Sequence, residues 1–380
     1  MTTIDGTCDP RFEIVRQTFK ENFDQLGDVG ASVAATVDGQ PVVDLWGGTC
    51  TTDAGPDTAW QADTIINVWS CTKTMSFLVI LMLADQGLLD LDAPVADVWP
   101  EFGAAGKQRI DTKHVMSHAS GLPGGDVPAT GDDLYDWEKM TSRLAAQEPW
   151  WQPGDRSGYH AITQGFLLGE IARRVTGVSM GRWFADNVAS PLGADFHIGT
   201  TAEHDARVAH VIPPPGILGS DVLREGSIPY RTFMSAPLGG SESSTIEWRR
   251  AELPACGGHG NARSIARIMA VLANRGELDG HRYLSEAMCD RIFEQQQHGR
   301  DCVLMKPIRF GLGFGLRSDD VPLPNERSCY WGGWGGSFVL VDMENRISFS
   351  YVMNEMRHNI DADARPARVV LAAYAALLAG

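Results

Sequence analysis

A serine followed three residues later by a lysine occurs once in this 380-residue chain, at Ser70-Cys71-Thr72-Lys73. On a helix, residues i and i+3 share a face one turn apart, so the spacing can hold a lysine amine against a serine hydroxyl. A serine hydroxyl is a poor nucleophile at neutral pH and needs an adjacent base. Lysine can be that base only if its ammonium is desolvated enough to lose its proton. After Thr74, the ten residues Met75-Ser76-Phe77-Leu78-Val79-Ile80-Leu81-Met82-Leu83-Ala84 are apolar almost all round, which predicts a buried helix and supplies the desolvation. The tetrad alone is a weak signal, because Ser70 could simply cap a helix.

Two later segments strengthen it. Pro153-Gly154-Asp155-Arg156-Ser157-Gly158-Tyr159-His160-Ala161 puts a phenol ahead of a helical run, Gln164 to Ile171. Tyr330-Trp331-Gly332-Gly333-Trp334-Gly335-Gly336-Ser337 leads into a strand. Glycines at 332 and 333 let a strand edge come close to a reacting carbonyl. A turn between strands is the alternative reading of the same glycines.

Taken together, the three segments stand in the order and relative positions of S-x-x-K, Y-x-N and K-T-G, the motifs of serine β-lactamases and penicillin-binding proteins. Gly87 to Val95, Met116-Ser117-His118-Ala119-Ser120-Gly121-Leu122-Pro123 and Ser190-Pro191-Leu192-Gly193 also look like that superfamily. The resemblance covers nearly the whole chain. It implies a β-lactamase/transpeptidase-like fold of the α/β (α+β) class: a largely antiparallel sheet flanked by helices, plus an inserted helical domain, with the site between them.

The departures point to one branch. Trp331 stands where K-T-G has its lysine, the cation that helps hold the carboxylate of a β-lactam or peptide. An indole offers an apolar face instead. Ala161 stands where Y-x-N has its asparagine. This pattern resembles the family VIII carboxylesterases, esterases built on the class C β-lactamase scaffold. Carried over residue by residue, the resemblance implies Ser70 as acylated nucleophile, Lys73 as its base and Tyr159 in the proton relay. The backbone N–H groups of Ser70 and Trp334 would form the oxyanion hole. Trp331, Gly332, Gly333 and Trp69 would line the substrate site. The expected substrate is a small or short-chain carboxylic ester, with no cofactor and no metal. A β-lactamase, a D-amino-acid peptidase or amidase, an acyltransferase, and a non-catalytic structural or ligand-sensing protein on the same scaffold are the alternatives.

The elements that must position these residues are partly legible. Phe12, Val15, Phe19, Phe23 and Leu26 recur with helical spacing. Asp38-Gly39 between the β-rich runs 30–37 and 42–46 predicts a hairpin. A helix is expected after Asn261 and another over Ala367–Leu378, with strands over 310–314, 337–341 and 347–352. Residues 212–244 lack periodicity and read as a long surface excursion. Strands at both ends with helices between predict a sheet domain from residues 1–66 and 255–380 and a mainly helical domain over 67–254.

Composition excludes other classes. A formal net charge of −16, with no basic patch, argues against a nucleic-acid or anionic-membrane partner. The first residues carry neither a basic region nor an apolar stretch, and no apolar run approaches membrane-spanning length. Seven scattered cysteines without a C-x-x-C pair suit reduced thiols, so a cytoplasmic location is expected. The sequence carries no signal for oligomeric state.

Three decoys need separate treatment. Gly177-Val178-Ser179-Met180-Gly181 matches the nucleophile elbow G-x-S-x-G, but that motif works on a strand-to-helix turn and here both flanks are helical. His114 and His118 lie four apart without the glutamate or third ligand of a zinc site, which favours packing and capping. His160 and His259 are single histidines that could line the mouth of the site.

Overall fold

The computed structural model describes residues 2–220, 222–358 and 363–379; Asp221, inside the expected excursion, lies outside the described residues. Its main element is an antiparallel sheet of ten strands. From one edge the order runs Ile4–Cys8, Gln40–Thr52, Gly30–Val37, Ile347–Met353, Phe338–Asp342, Ser328–Gly332, Gly315–Leu316, Pro307–Phe310 and Gln297–Arg300, with Gly55–Ala59 branching from Gln40–Thr52. Strands from the two ends of the chain meet where Ala35 faces Phe349.

The period of two along Ile347–Met353 sorts the core into two layers. Ile347, Phe349, Tyr351 and Met353 pack on one face with Phe12, with Val15 and Phe19 of the helix Glu13–Leu26 that follows it, and with the C-terminal helix Ala364–Ala379. Val352 turns to the other face, against a larger core that holds the helices Thr72–Asp85, Thr163–Thr176 and Ala262–Ala273. Ser348 on that face donates from Oγ to the Ala266 carbonyl.

Local signals read from the sequence take the forms chemistry requires. Asp38 and Gly39 both have positive φ, 51° and 77°, as a type I′ hairpin turn demands. Asn261 caps the helix Ala262–Ala273, its Oδ1 accepting from the Ser264 N–H at 2.9 Å. The helix Thr72–Asp85 is buried from Thr72 to Leu83.

Three elements differ from expectation. The strand expected over 310–314 ends at Phe310, because Gly313 adopts φ 89° and the chain turns there before resuming at Gly315. The excursion over 212–244 contains the helix Ile228–Met234, and Leu218, Phe233, Ala236 and Leu238 within it are buried. It is a packed covering segment, not a surface loop. A second sheet was not foreseen: Phe196–Ile198, Gly258–Gly260, Ile65–Asn67 and Val208–Ala209 lie side by side in that order. Its strands are only two or three residues long, too short to show a period. Among the described residues no helix is long and apolar enough to cross a membrane.

Candidate active site

The small sheet delivers Ser70. Ile65–Asn67 pairs with Gly258–Gly260, and the Val68 N–H donates to the Gly258 carbonyl at 2.9 Å. The chain then makes one 3-10 turn, Trp69–Cys71, and enters the helix at Thr72. Trp69 opens that turn at φ 47°, a left-handed conformation that costs a bulky residue energy and persists only where its surroundings enforce it. The Thr72 hydroxyl enforces it by donating to the Trp69 carbonyl at 2.6 Å and accepting from the Gly258 N–H at 2.8 Å.

Ser70, Lys73 and Tyr159 come together. Lys73 Nζ lies 3.2 Å from Ser70 Oγ, and the Tyr159 hydroxyl donates to the same Oγ at 2.5 Å. Lys73 Nζ also donates to the carbonyls of Ala161 at 2.7 Å and Ala255 at 3.0 Å. Burial lowers the Lys73 pKa to about 7 from an ordinary 10.5, and the same burial pushes the Tyr159 phenol above its usual value. Burial therefore favours the neutral amine at Lys73 and keeps the phenol beside it protonated.

The two carbonyls settle which way a neutral amine faces. A neutral Nζ has two N–H donors and one lone pair, and a carbonyl can only accept. If Ala161 and Ala255 take the two donors, the lone pair is left for the Ser70 proton. These carbonyls carry no side-chain signal, so the sequence could not reveal them.

Tyr159 is held from several sides. Its N–H donates to Asp301 Oδ1 at 3.0 Å, and the same carboxylate oxygen accepts from the N–H groups of Val303 and Leu304. Asp301 is fully buried and stands 142 residues from Tyr159 in an unremarked stretch of sequence. His118 lies edge-on to the Tyr159 ring at 4.9 Å and stacks on Trp331 at 5.7 Å. Its Nδ1 accepts from the His160 N–H, so the neutral ring carries its proton on Nε2, and burial holds the imidazolium form away.

The glycine segment closes the opposite side. Trp331 lies within Ser328–Gly332, with its ring 5.7 Å from that of Tyr159. Gly333 presses against the turn that carries Ser70: a Cβ there would sit 2.3 Å from the Val68 carbonyl oxygen. Trp334 follows in the turn, its ring 4.9 Å from Trp69. Trp69 is itself buried between Trp334 and Trp248, so it meets the site through Trp334. Beside Ala161, Ile162 and Thr163 form one wall of a mainly apolar cavity of about 250 Å³ that also touches Pro123, Leu144, Thr232 and Ala236.

The decoys are accounted for by ordinary contacts. Ser179 caps the helix Met180–Phe184, and its hydroxyl donates to Glu252 Oε1 at 2.5 Å. His114 Nδ1 accepts from the Asp111 N–H, completing a capping box. His160 and His259 are both wholly buried and do not line a mouth: Ser120 donates to His160 Nε2, and His259 Nδ1 faces the Gly257 carbonyl. Among the described residues no group of three or more His, Cys, Asp or Glu could hold a metal ion. All seven cysteines are free thiols, and burial raises the pKa of Cys71 beside Ser70.

An antiparallel sheet flanked by helices, with a serine held between a buried lysine and a phenol at the start of a core helix, defines the β-lactamase/transpeptidase-like fold. The chain belongs to the β-lactamase family, whose family model matches residues 15–374. It is 36% identical over 363 residues to "Esterase/beta-lactamase LipL" of Mycobacterium tuberculosis, covering 92% of this chain and 83% of that one. A solved family VIII carboxylesterase superposes with a TM-score of 0.91 at 41% identity, covering 98% of this chain and all of the other. A penicillin-binding protein homologue from Caulobacter crescentus superposes with a TM-score of 0.89 at 34% identity, over 98% of this chain and 100% of that one.

Proposed function

We propose that this protein is a serine carboxylesterase that hydrolyses small or short-chain esters through a Ser70 acyl-enzyme. The observation that carries the reading is the double contact at Ser70 Oγ, with Lys73 Nζ at 3.2 Å and the Tyr159 hydroxyl at 2.5 Å. Neutral Lys73 takes the Ser70 proton as Oγ attacks the ester carbonyl, and the negative charge on the carbonyl oxygen is met by the N–H groups of Ser70 and Trp334. Tyr159 gives its proton to the departing alkoxide and regains one from Lys73. Water then attacks the acyl-enzyme carbonyl and gives a proton to the same pair, which returns it to Ser70 Oγ as the acyl–Oγ bond breaks and the carboxylic acid leaves.

The ester preference rests on Trp331 and Ala161, which offer neither the cation nor the amide that a β-lactam or peptide acid would use. The likeness to a family VIII carboxylesterase and to LipL supports it. LipL's double description as esterase and β-lactamase also favours a second reading, residual β-lactam hydrolysis at the same serine.

The test is hydrolysis of p-nitrophenyl butyrate by Ser70→Ala and Ser179→Ala proteins. Ser70→Ala should lose turnover, while Ser179→Ala, altered only at a helix cap, should keep most of it. Activity surviving in Ser70→Ala and vanishing in Ser179→Ala would overturn the reading.

A further inference from the structure

The turn that follows Trp331 is tied to a buried ion pair on the far side of the sheet. Arg365, at the start of the C-terminal helix, and Asp28 are joined at 3.0 Å with their side chains 1% and 0% exposed. Every N–H of the guanidinium is engaged. Nη1 donates to Asp28 and the Glu355 carbonyl, Nε donates to Asp363, and Nη2 donates to Asp363 and, at 2.7 Å, to the Gly335 carbonyl. The Arg357 N–H donates to the same Gly335 oxygen at 3.0 Å.

From Gly335 the contacts run toward Ser70 through the backbone. The Gly336 N–H, in the same peptide unit as the Gly335 carbonyl, donates to the Gly333 carbonyl at 3.2 Å. That carbonyl shares its peptide unit with the Trp334 N–H. A trans peptide holds C=O and N–H antiparallel, so the bond that fixes the Gly333 oxygen also fixes the direction of the Trp334 N–H. Linked hydrogen bonds polarise one another, by about 10–30% per bond in condensed phase. A guanidinium at the head of such a chain strengthens the donor at its end.

The approach requires glycine. Gly336 has φ 131°, and a Cβ on it would lie 2.6 Å from Arg365 Nη2. Burying a charged pair strips both ions of water, so the pair is weak evidence of stabilisation by itself. A second role is therefore the better account of why this pair is buried under this turn.

We propose that Arg365 is a positioning residue for ester hydrolysis: anchored by Asp28, it aims and polarises the Trp334 N–H through the Gly335–Gly336 and Gly333–Trp334 peptide units. The inference rests on the reading of Trp334 as an oxyanion donor. Removing a direct oxyanion donor lowers turnover by about 10²–10³-fold. Loosening one at a distance should cost less, about 10–100-fold.

The experiment compares the intact protein with Arg365→Lys, which keeps the charge against Asp28 but lacks the planar fork, and with Asp28→Asn/Arg365→Met, which removes both charges of the Asp28–Arg365 pair and leaves Asp363, 10% exposed, without its guanidinium partner. Stopped-flow acylation by p-nitrophenyl acetate gives the binding constant and the acylation rate separately. Inhibition by an alkyl trifluoromethyl ketone, which forms an oxyanionic adduct with a serine, reports the hole directly. Thermal melting identifies folded variants, and Arg365→Lys carries the test if the double variant melts early. The expected result is an acylation rate down 10–100-fold and ketone affinity down in parallel. Substrate binding should change less than about threefold, and the acid limb of the pH profile should not move. Folded variants with acylation rate and ketone affinity within twofold of the parent would overturn the proposal. So would a loss confined to substrate binding, or a displaced acid limb. If the unsubstituted protein forms no ketone adduct, the esterase reading itself fails, an outcome distinct from these.

Discussion

The titration of Lys73 gives the sharpest test of the mechanism. Its amine is wholly buried and its pKa is lowered to about 7 from 10.5. At pH 7 about half of the protein would then carry a neutral amine, against roughly one molecule in three thousand for a lysine at its ordinary pKa near 10.4–10.5. Because the pKa is depressed, the base form is gained as pH rises through 7, so acylation rises with pH and levels off above it. Between pH 6 and 8 the neutral fraction grows from about one in eleven to about ten in eleven, roughly a tenfold change. A lysine with an ordinary pKa would give a straight, roughly hundredfold rise over the same interval. The assay is kcat/KM for a p-nitrophenyl ester, with product followed at the isosbestic wavelength of nitrophenol, since kcat/KM reports the groups of the free enzyme. Tyr159, with its pKa raised, stays neutral over this range and adds no second limb. The measured midpoint belongs to the coupled pair rather than to Lys73 alone. Lys73→Ala should lower acylation by about 10²–10⁴-fold and abolish the limb. Lys73→Arg should be nearly as damaging, because guanidinium keeps its proton. A hundredfold straight rise, or an active Lys73→Arg protein with the parental profile, would refute the argument.

Two further outcomes follow from the glycine segment. Ester hydrolysis should exceed nitrocefin hydrolysis by orders of magnitude; loss of a single hydrogen bond to a charged group already accounts for about 1.5–3 kcal/mol, or about 10–150-fold, and comparable efficiencies on the two substrates would count against Trp331 as the selecting residue. Gly333→Ala should lower ester turnover by about 10²-fold or more without abolishing folding, because its Cβ would sit 2.3 Å from the Val68 carbonyl and push the oxyanion donor away from Ser70; a folded Gly333→Ala protein with parental acylation kinetics would contradict that geometry.

Much of the site was legible because its chemistry is local or its motifs are spaced along the chain. Ser70 and Lys73 are one turn apart, so their contact follows from helix geometry, and the apolar run after them announced the burial that lowers the amine's pKa. The hairpin at Asp38-Gly39 and the cap at Asn261 were legible for the same reason: each is decided by residues within three positions. Tyr159 and the Trp331–Trp334 segment could be named from the order of motifs, but not their distances.

Tertiary structure alone decided what lies at long separation or in the backbone. The Ala161 and Ala255 carbonyls orient the amine, yet a carbonyl is common to every residue and leaves no mark in sequence. Asp301 reaches Tyr159 across 142 residues, and Arg365 reaches Gly335 from the C-terminal helix; each is one charged residue among many until the chain folds. The excursion over 212–244 read as surface because its apolar residues follow no period, while burial there comes from neighbours far along the chain. Sequence thus determined the candidate reacting groups, their local spacing and the helix that buries them. Only the packed sheet decided which carbonyls, carboxylates and peptide N–H groups face them, because those partners are selected by three-dimensional proximity and not by residue type.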